Sequence, residues 1–130
     1  MRVASIKLKI PFYDTDSLNL VWFGNYFKYF DQARTKLLDD VNINIYKKKR
    51  YIWPVIETNC KFLSKLGYND EIIINAKLVK NSHMLKILYS IYKDKKKVAY
   101  GFTKQVFVEK NSNNLLKKIP RDILKKIYNE

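Results

Sequence analysis

The sequence predicts an α+β fold in which one long helix packs on an antiparallel sheet of about five strands. Three observations lead there. Apolar and polar residues alternate over Val3–Phe12, and short apolar segments return between residues 55 and 108. Between Asn25 and Asp39 the apolar residues recur instead at spacings of three and four, the period of a helix. The segments after residue 55 are separated by short turn signals, which read as hairpins and hence as an antiparallel sheet.

In the first strand Ala4, Ile6, Leu8, Ile10 and Phe12 share one face and Lys7 and Lys9 the other, with Pro11 near its end, a half-buried pattern. In the helix Tyr26, Phe30, Ala33 and Leu37 form the apolar stripe, widened by Phe27 and Leu38. Gly24-Asn25 opens it, and Asp39-Asp40 with Asn42 and Asn44 closes it; acids at that end oppose the helix dipole at a small cost. Val55–Leu63 follows Pro54 as a strand, and Gly67–Asp70 is a turn. Glu71–Val79 sets Ile72, Ile74, Ala76 and Leu78 on one face and Ile73 and Val79 on the other. Strands Met84–Tyr92 and Val98–Val108 flank a lysine-rich hairpin at Lys93–Lys97, and Asn111–Asn114 is another turn. Pro120 at a first helical position and Asp122 in the first turn open a short terminal helix with Ile123, Leu124 and Ile127 inward. With no internal repeat and no linker, residues 1–130 read as one domain.

Composition excludes several classes. Hydrophobic residues make up 47% of the chain and aromatics 15%, enough to build a core. No apolar run approaches the ~20 residues of a membrane span, and the N-terminus has no h-region of a signal peptide. A lone Cys60 forms no internal disulfide and a single His83 makes zinc unexpected; a reducing cytoplasm is the expected setting. Lys and Arg number 26 against 12 acids, a formal +14. The densest clusters, Lys47–Arg50 and Lys93–Lys97, fall where loops are expected, and the Asn, Ile, Tyr and Lys bias resembles AT-rich coding. Nucleic acid is therefore not the expected partner, although anionic small substrates would be attracted.

Asp14-Thr15-Asp16-Ser17-Leu18-Asn19 lies between the first strand and the helix. Such residues serve helix capping. The same physics also suits acyl transfer: a carboxylate beside a helix N-terminus, whose unpaired backbone N–H groups can hold an oxyanion.

Phe12-Tyr13-Asp14-Thr15-Asp16 and Val21-Trp22-Phe23-Gly24-Asn25-Tyr26, running on to Phe30-Asp31-Gln32-Ala33-Arg34, resemble the hotdog-fold acyl-CoA thioesterases of the 4-hydroxybenzoyl-CoA thioesterase type. Trp53–Phe62, Gly67–Ile72, Ser82 and Ile119-Pro120 extend the resemblance over essentially the whole chain. The resemblance implies one long helix wrapped by a curved antiparallel sheet, and hydrolysis of an acyl-CoA or acyl-carrier-protein thioester without a cofactor. It makes Asp16 the catalytic carboxylate, as nucleophile or as base toward water, and the Phe23 backbone N–H the oxyanion donor. Trp22, Asn25 and Tyr26 fall at the substrate-binding helix start. Thr58 and Asn59 match the strand that lines the site across a subunit interface, and Lys80 and Ser82 lie near the nucleotide end of CoA. Asp14 is expected to be structural, bonding loop amides. Asn19 stands where many members have Gly, a left-handed position that Asn tolerates. Phe23 stands where many have His, which removes general-acid help and keeps a non-catalytic acyl-CoA or acyl-carrier binding protein as the alternative.

His83 reads as a surface or interface residue and Cys60 as packing. Tyr26 and Tyr29, at helical spacing, read as core and interface rather than a base-stacking surface. The exposed sheet edge and aromatic-rich face predict a homodimer or homotetramer.

Overall fold

The computed structural model describes residues 2–41 and 50–128. Strand β1 (Val3–Lys9) leads through a 3-10 turn at Phe12–Asp14 into helix α1 (Asn25–Asp40). Then follow β2 (Tyr51–Ile52), β3 (Val55–Phe62), β4 (Glu71–Val79), β5 (Leu85–Lys93), β6 (Lys96–Gln105), β7 (Phe107–Glu109), β8 (Leu115–Leu116) and helix α2 (Arg121–Tyr128). Five strands form one antiparallel sheet in the order β1-β4-β5-β6-β3, and β2, β7 and β8 form a small second one.

Alternation decides which face of the sheet meets α1. Ile72, Ile74, Ala76 and Leu78 of β4 and Leu85, Ile87, Tyr89 and Ile91 of β5 are all buried. On β1, Ala4 is buried and Ile6 and Leu8 pack partly against the core. Phe12 departs from the expected face: past Pro11 the chain turns, period two ends, and the ring is 66% exposed. It meets the edge of Tyr68 instead, centroids 5.6 Å apart.

Along α1 the buried residues are Tyr26, Tyr29, Phe30, Ala33, Leu37 and Leu38. Tyr29, rather than the half-exposed Phe27, widens the stripe. Phe30 stacks on Tyr89 at 4.5 Å with the rings 9° apart. Gly101 of β6 leaves room for this packing, because a Cβ there would stand 2.0 Å from the Asn59 carbonyl oxygen and 2.9 Å from the Phe30 ring.

Turn chemistry falls to residues other than glycine. Asn19, Asn69, Asp94, Lys95 and Asn113 take positive φ, and none of the three glycines does. The expected strand Val98–Val108 breaks at Val106, where β7 leaves the main sheet to pair with β2 and β8. Pro120 sits one place earlier than expected: its carbonyl accepts the Leu124 N–H at 2.8 Å, so it caps a helix that begins at Arg121. Ile123 and Ile127 of α2 are buried and Leu124 packs at the core margin. Asn42, Asn44 and Lys47–Lys49 lie outside the described residues.

At one edge of the main sheet, β3 is exposed along nearly all its length, with Val55 40%, Ile56 56% and Phe62 48% accessible. Among the described residues no helix is long and apolar enough to cross a membrane.

Candidate active site

Between β1 and α1 the chain makes a tight excursion and returns on itself. Thr15 bridges Val21, and the Asp16 N–H donates to the Leu20 carbonyl at 2.8 Å. Asn19, at φ 61°, turns the chain at the tip, the backbone state in which Asn replaces Gly at least cost. Asp16 faces water. Its Oδ1 accepts the Leu18 N–H at 2.9 Å, and Oδ2 has no protein donor among the described residues.

Asp14 is its opposite in every respect. It is 3% exposed, and its carboxylate accepts the Lys28 ammonium at 2.5 Å and the Tyr29 hydroxyl at 2.7 Å. The loop amides go instead to its carbonyl oxygen, which accepts the Trp22 N–H at 3.0 Å and Asn25 Nδ2 at 2.9 Å. Asp14 is thus structural as expected, but its carboxylate bonds helix side chains rather than loop amides. Tyr29 is in the core as its helical spacing predicts, but its pairing, and that of Lys28, with the Asp14 carboxylate carried no signal in the sequence. Burial, with the Asp14 hydrogen bond second, holds the Tyr29 phenol far above its ordinary range.

The start of α1 is laid open by the same loop. Asn25, Tyr26 and Phe27 donate to the carbonyls of Trp22, Phe23 and Gly24 at 2.9, 3.2 and 3.3 Å. The first-turn N–H groups are thus satisfied by tight i→i−3 bonds, whereas those of Phe23 and Gly24, just ahead of the helix, find no acceptor among the described residues. The Trp22 ring folds over Gly24 so closely that a Cβ would lie 2.2 Å from it. Phe23 is 62% exposed, its ring 5.3 Å from that of Trp22.

Two depressions flank this helix start. A cavity of about 550 Å³ is lined by Val21, Phe23, Tyr26, Phe62 and Leu66 among others. A groove of about 330 Å³ runs between α1 and β3, lined by residues that include Phe27, Phe30, Arg34, Val55, Thr58 and Thr103. Tyr26 is buried edge-on to Phe62 at 4.8 Å, and burial pushes its phenol up to about 12. Cys60, on the same face of β3 as Thr58, is pushed up to about 11 by burial, which keeps it a packing thiol.

Asp16, Trp22, Phe23, Asn25 and Tyr26 therefore share one end of the chain's fold, and Thr58 faces the groove beside α1, its hydroxyl donating to the Phe102 carbonyl at 2.8 Å. Asn59 pairs with Phe102 and points to the opposite face of the sheet. Lys80 and Ser82 follow the far end of β4, about 30 Å along the strand from Glu71 at the loop end. There the Lys80 ammonium stands 5.9 Å from the Tyr128 ring centroid, and the Ser82 carbonyl accepts the Ile119 N–H at 2.8 Å. Within one chain, Asn59, Lys80 and Ser82 are not assembled with Asp16. His83 is exposed, with Nδ1 3.1 Å from the Lys117 carbonyl oxygen. Among the described residues no group of three or more His, Cys, Asp or Glu side chains is arranged to hold a metal ion.

Comparison with known proteins covers the same span. Residues 10–127 match the sequence profile of the thioesterase-like superfamily. A relative from Aquifex aeolicus bearing the name "Putative esterase" is 28% identical over 119 residues, covering 89% of this chain and 91% of that protein. A 1,4-dihydroxy-2-naphthoyl-CoA thioesterase from Synechocystis superposes with a TM-score of 0.85 at 16% identity, covering 96% of this chain and 97% of that one. A mutant 4-hydroxybenzoyl-CoA thioesterase complexed with 4-hydroxybenzoyl-CoA gives 0.84 at 16% identity, over 98% and 99% of the two chains. The architecture is that of the hotdog thioesterase structures.

Proposed function

The chain belongs to the thioesterase-like superfamily, and from that membership we propose that it hydrolyses an acyl-CoA or acyl-carrier-protein thioester to free acid and thiol. The observation that carries the proposal is the folded-back loop. It carries a water-facing Asp16 carboxylate on the segment that leads into two N–H groups, those of Phe23 and Gly24, that have no acceptor among the described residues. In the proposed reaction the thioester carbonyl oxygen accepts from the Phe23 N–H, where the helix dipole favours the negative charge that develops. Asp16 either attacks the carbonyl carbon, giving an acyl-enzyme that water cleaves, or takes a proton from an attacking water. Either way the C–S bond breaks and the thiolate leaves as thiol after protonation from solvent, since Phe23 offers no acid.

The cavity beside Phe23, walled by Val21, Tyr26, Phe62 and Leu66, suits the acyl part, and Trp22 and Asn25 belong to the same helix start. A second copy of the chain fits the exposed edge of β3. In such a dimer Thr58 and Asn59 lie at the interface, and the partner supplies the Lys80 and Ser82 that one chain keeps remote from its own Asp16. On this reading the active species is a homodimer or homotetramer.

The test is free-thiol release from a panel of short, long and aromatic acyl-CoAs, with Asp16→Asn beside the unaltered protein. Turnover should fall by about 10²–10⁴, the scale of a positioned carboxylate. Normal activity in Asp16→Asn would sink the residue assignment. Tight acyl-CoA binding with no thiol release from any substrate would make the chain a binding protein instead.

A further inference from the structure

The face of the main sheet turned away from α1 carries a charge pattern that the sequence conceals, because its residues alternate with buried ones. Cross-strand pairing sets Lys7, Ile73, Tyr92 and Lys97 in one row. The next row brings Tyr100 beside Lys61, and the next brings Lys77, Leu88 and Phe102 together. Lys86 and Lys104 close the pattern, their ammonium groups 5.7 and 5.3 Å from the Phe102 ring centroid. Lys97 stands 5.6 Å from the Tyr100 centroid and 6.0 Å from that of Tyr92. The acids of this face are few: Glu57 is bridged by Lys104 at 3.1 Å, and Glu71 and Asp94 lie at one corner. At that corner a groove of about 780 Å³ opens, walled by Lys7, Lys9, Tyr92 and Lys95 together with both acids, Glu71 and Asp94.

We propose that this face binds single-stranded nucleic acid, its lysines taking the phosphates and Tyr92, Tyr100 and Phe102 offering planes to the bases. A second copy does not fit, because two such faces would oppose lysine to lysine. An acidic polypeptide would neutralise the lysines but leave the interleaved rings unused. A single strand uses both, through counterion release at the phosphates and stacking on the aromatic faces. The groove is large enough to hold a nucleotide. Lys95 and Lys97 belong to a lysine cluster evident in the sequence, whereas Lys7, Lys61, Lys77, Lys86 and Lys104 are brought to this face by strand pairing.

The experiment is fluorescence anisotropy of a labelled single-stranded RNA of mixed sequence, titrated with the full chain from low to physiological salt. Binding should weaken linearly in log–log form. The triple substitution Lys7→Gln, Lys77→Gln, Lys97→Gln should flatten that slope by about 0.7 per lysine, about 2 in all. Tyr100→Ala should weaken binding about ten-fold with the slope kept. Both variants should retain near-ultraviolet circular dichroism and thiol release, since none of these residues belongs to the proposed site. No binding at low salt overturns the proposal. So does equal competition by polyglutamate together with indifference to Tyr100→Ala, which would mark the face as a docking surface for an acidic protein.

Discussion

Asp14 is held under Lys28 and Tyr29 while Asp16, two residues on, faces water, and their substitutions should fail in different ways. Asp14→Ala removes the acceptor of a buried phenol, a loss of about 1–3 kcal/mol. The ion pair adds little to that, because Lys28 is 43% exposed and returns to solvent. Urea denaturation should therefore show Asp14→Ala clearly destabilised, whereas Asp16→Asn should leave the unfolding free energy within about 0.5 kcal/mol of the parent. Equal stability of Asp14→Ala and the parent would refute the anchoring role. Cys60 offers a second residue-scale test. With its thiol pushed up to about 11 by burial, alkylation by iodoacetamide should be slow at neutral pH and rise only in strong alkali, since the thiolate is the reactive form. The acidic motif was legible in sequence because its members are neighbours. The partners of Asp14 were not, because a carboxylate fifteen residues from a tyrosine meets it only once the helix has a fixed rotation.

Among the elements, β4 was legible in full, both ends and both faces, because a strand buried on one side and solvated on the other writes its period into the sequence. β2 and β8, at two residues each, are too short to carry any period. The β6–β7 break at Val106 hides inside one apolar run. The β5–β6 hairpin turns through Asp94 and Lys95, at φ 50° and 64°, the geometry that favours Gly at the second place. Lys95→Gly should thus stabilise the protein by roughly 1 kcal/mol, the strain of a left-handed non-glycine residue, read as a rise in the urea midpoint. Gly101→Ala should act the other way. Its Cβ would meet the Asn59 carbonyl and the Phe30 ring, so β3 or α1 must shift, a cost of about 1–3 kcal/mol. Gly101 gave no warning in the sequence, since it sits mid-strand with no turn signal around it.

For the molecule as a whole, the buried hydroxyls and thiol predict how it meets alkali. Tyr26 and Tyr89 are raised by burial from 10.0 to about 12 and Cys60 from 9.0 to about 11. The folded chain keeps these protons at a pH where the unfolded chain releases them. Their contribution is then complete below about pH 9 and is lost as pH climbs through 10 toward 12. The urea midpoint should fall over that window, and Tyr26→Phe, which removes one such group, should flatten the fall; a parent and variant that decline in parallel would contradict it. The sheet-on-helix plan was legible because helical and strand periods each fill a long stretch. The exposure of β3 on both faces was not, because an edge strand and a half-buried one look alike until the neighbours are counted. The distribution of positive φ has a last consequence for laboratory evolution. Glycines are commonly surveyed by alanine substitution to learn where a backbone needs freedom. In this chain the three glycines sit at ordinary torsions, two of them pressed by a ring or a carbonyl, and the tight turns belong to Asn, Asp and Lys. A glycine survey here reports crowding rather than torsion, and a library seeking a hardier protein should add glycine at turns and leave the existing ones alone.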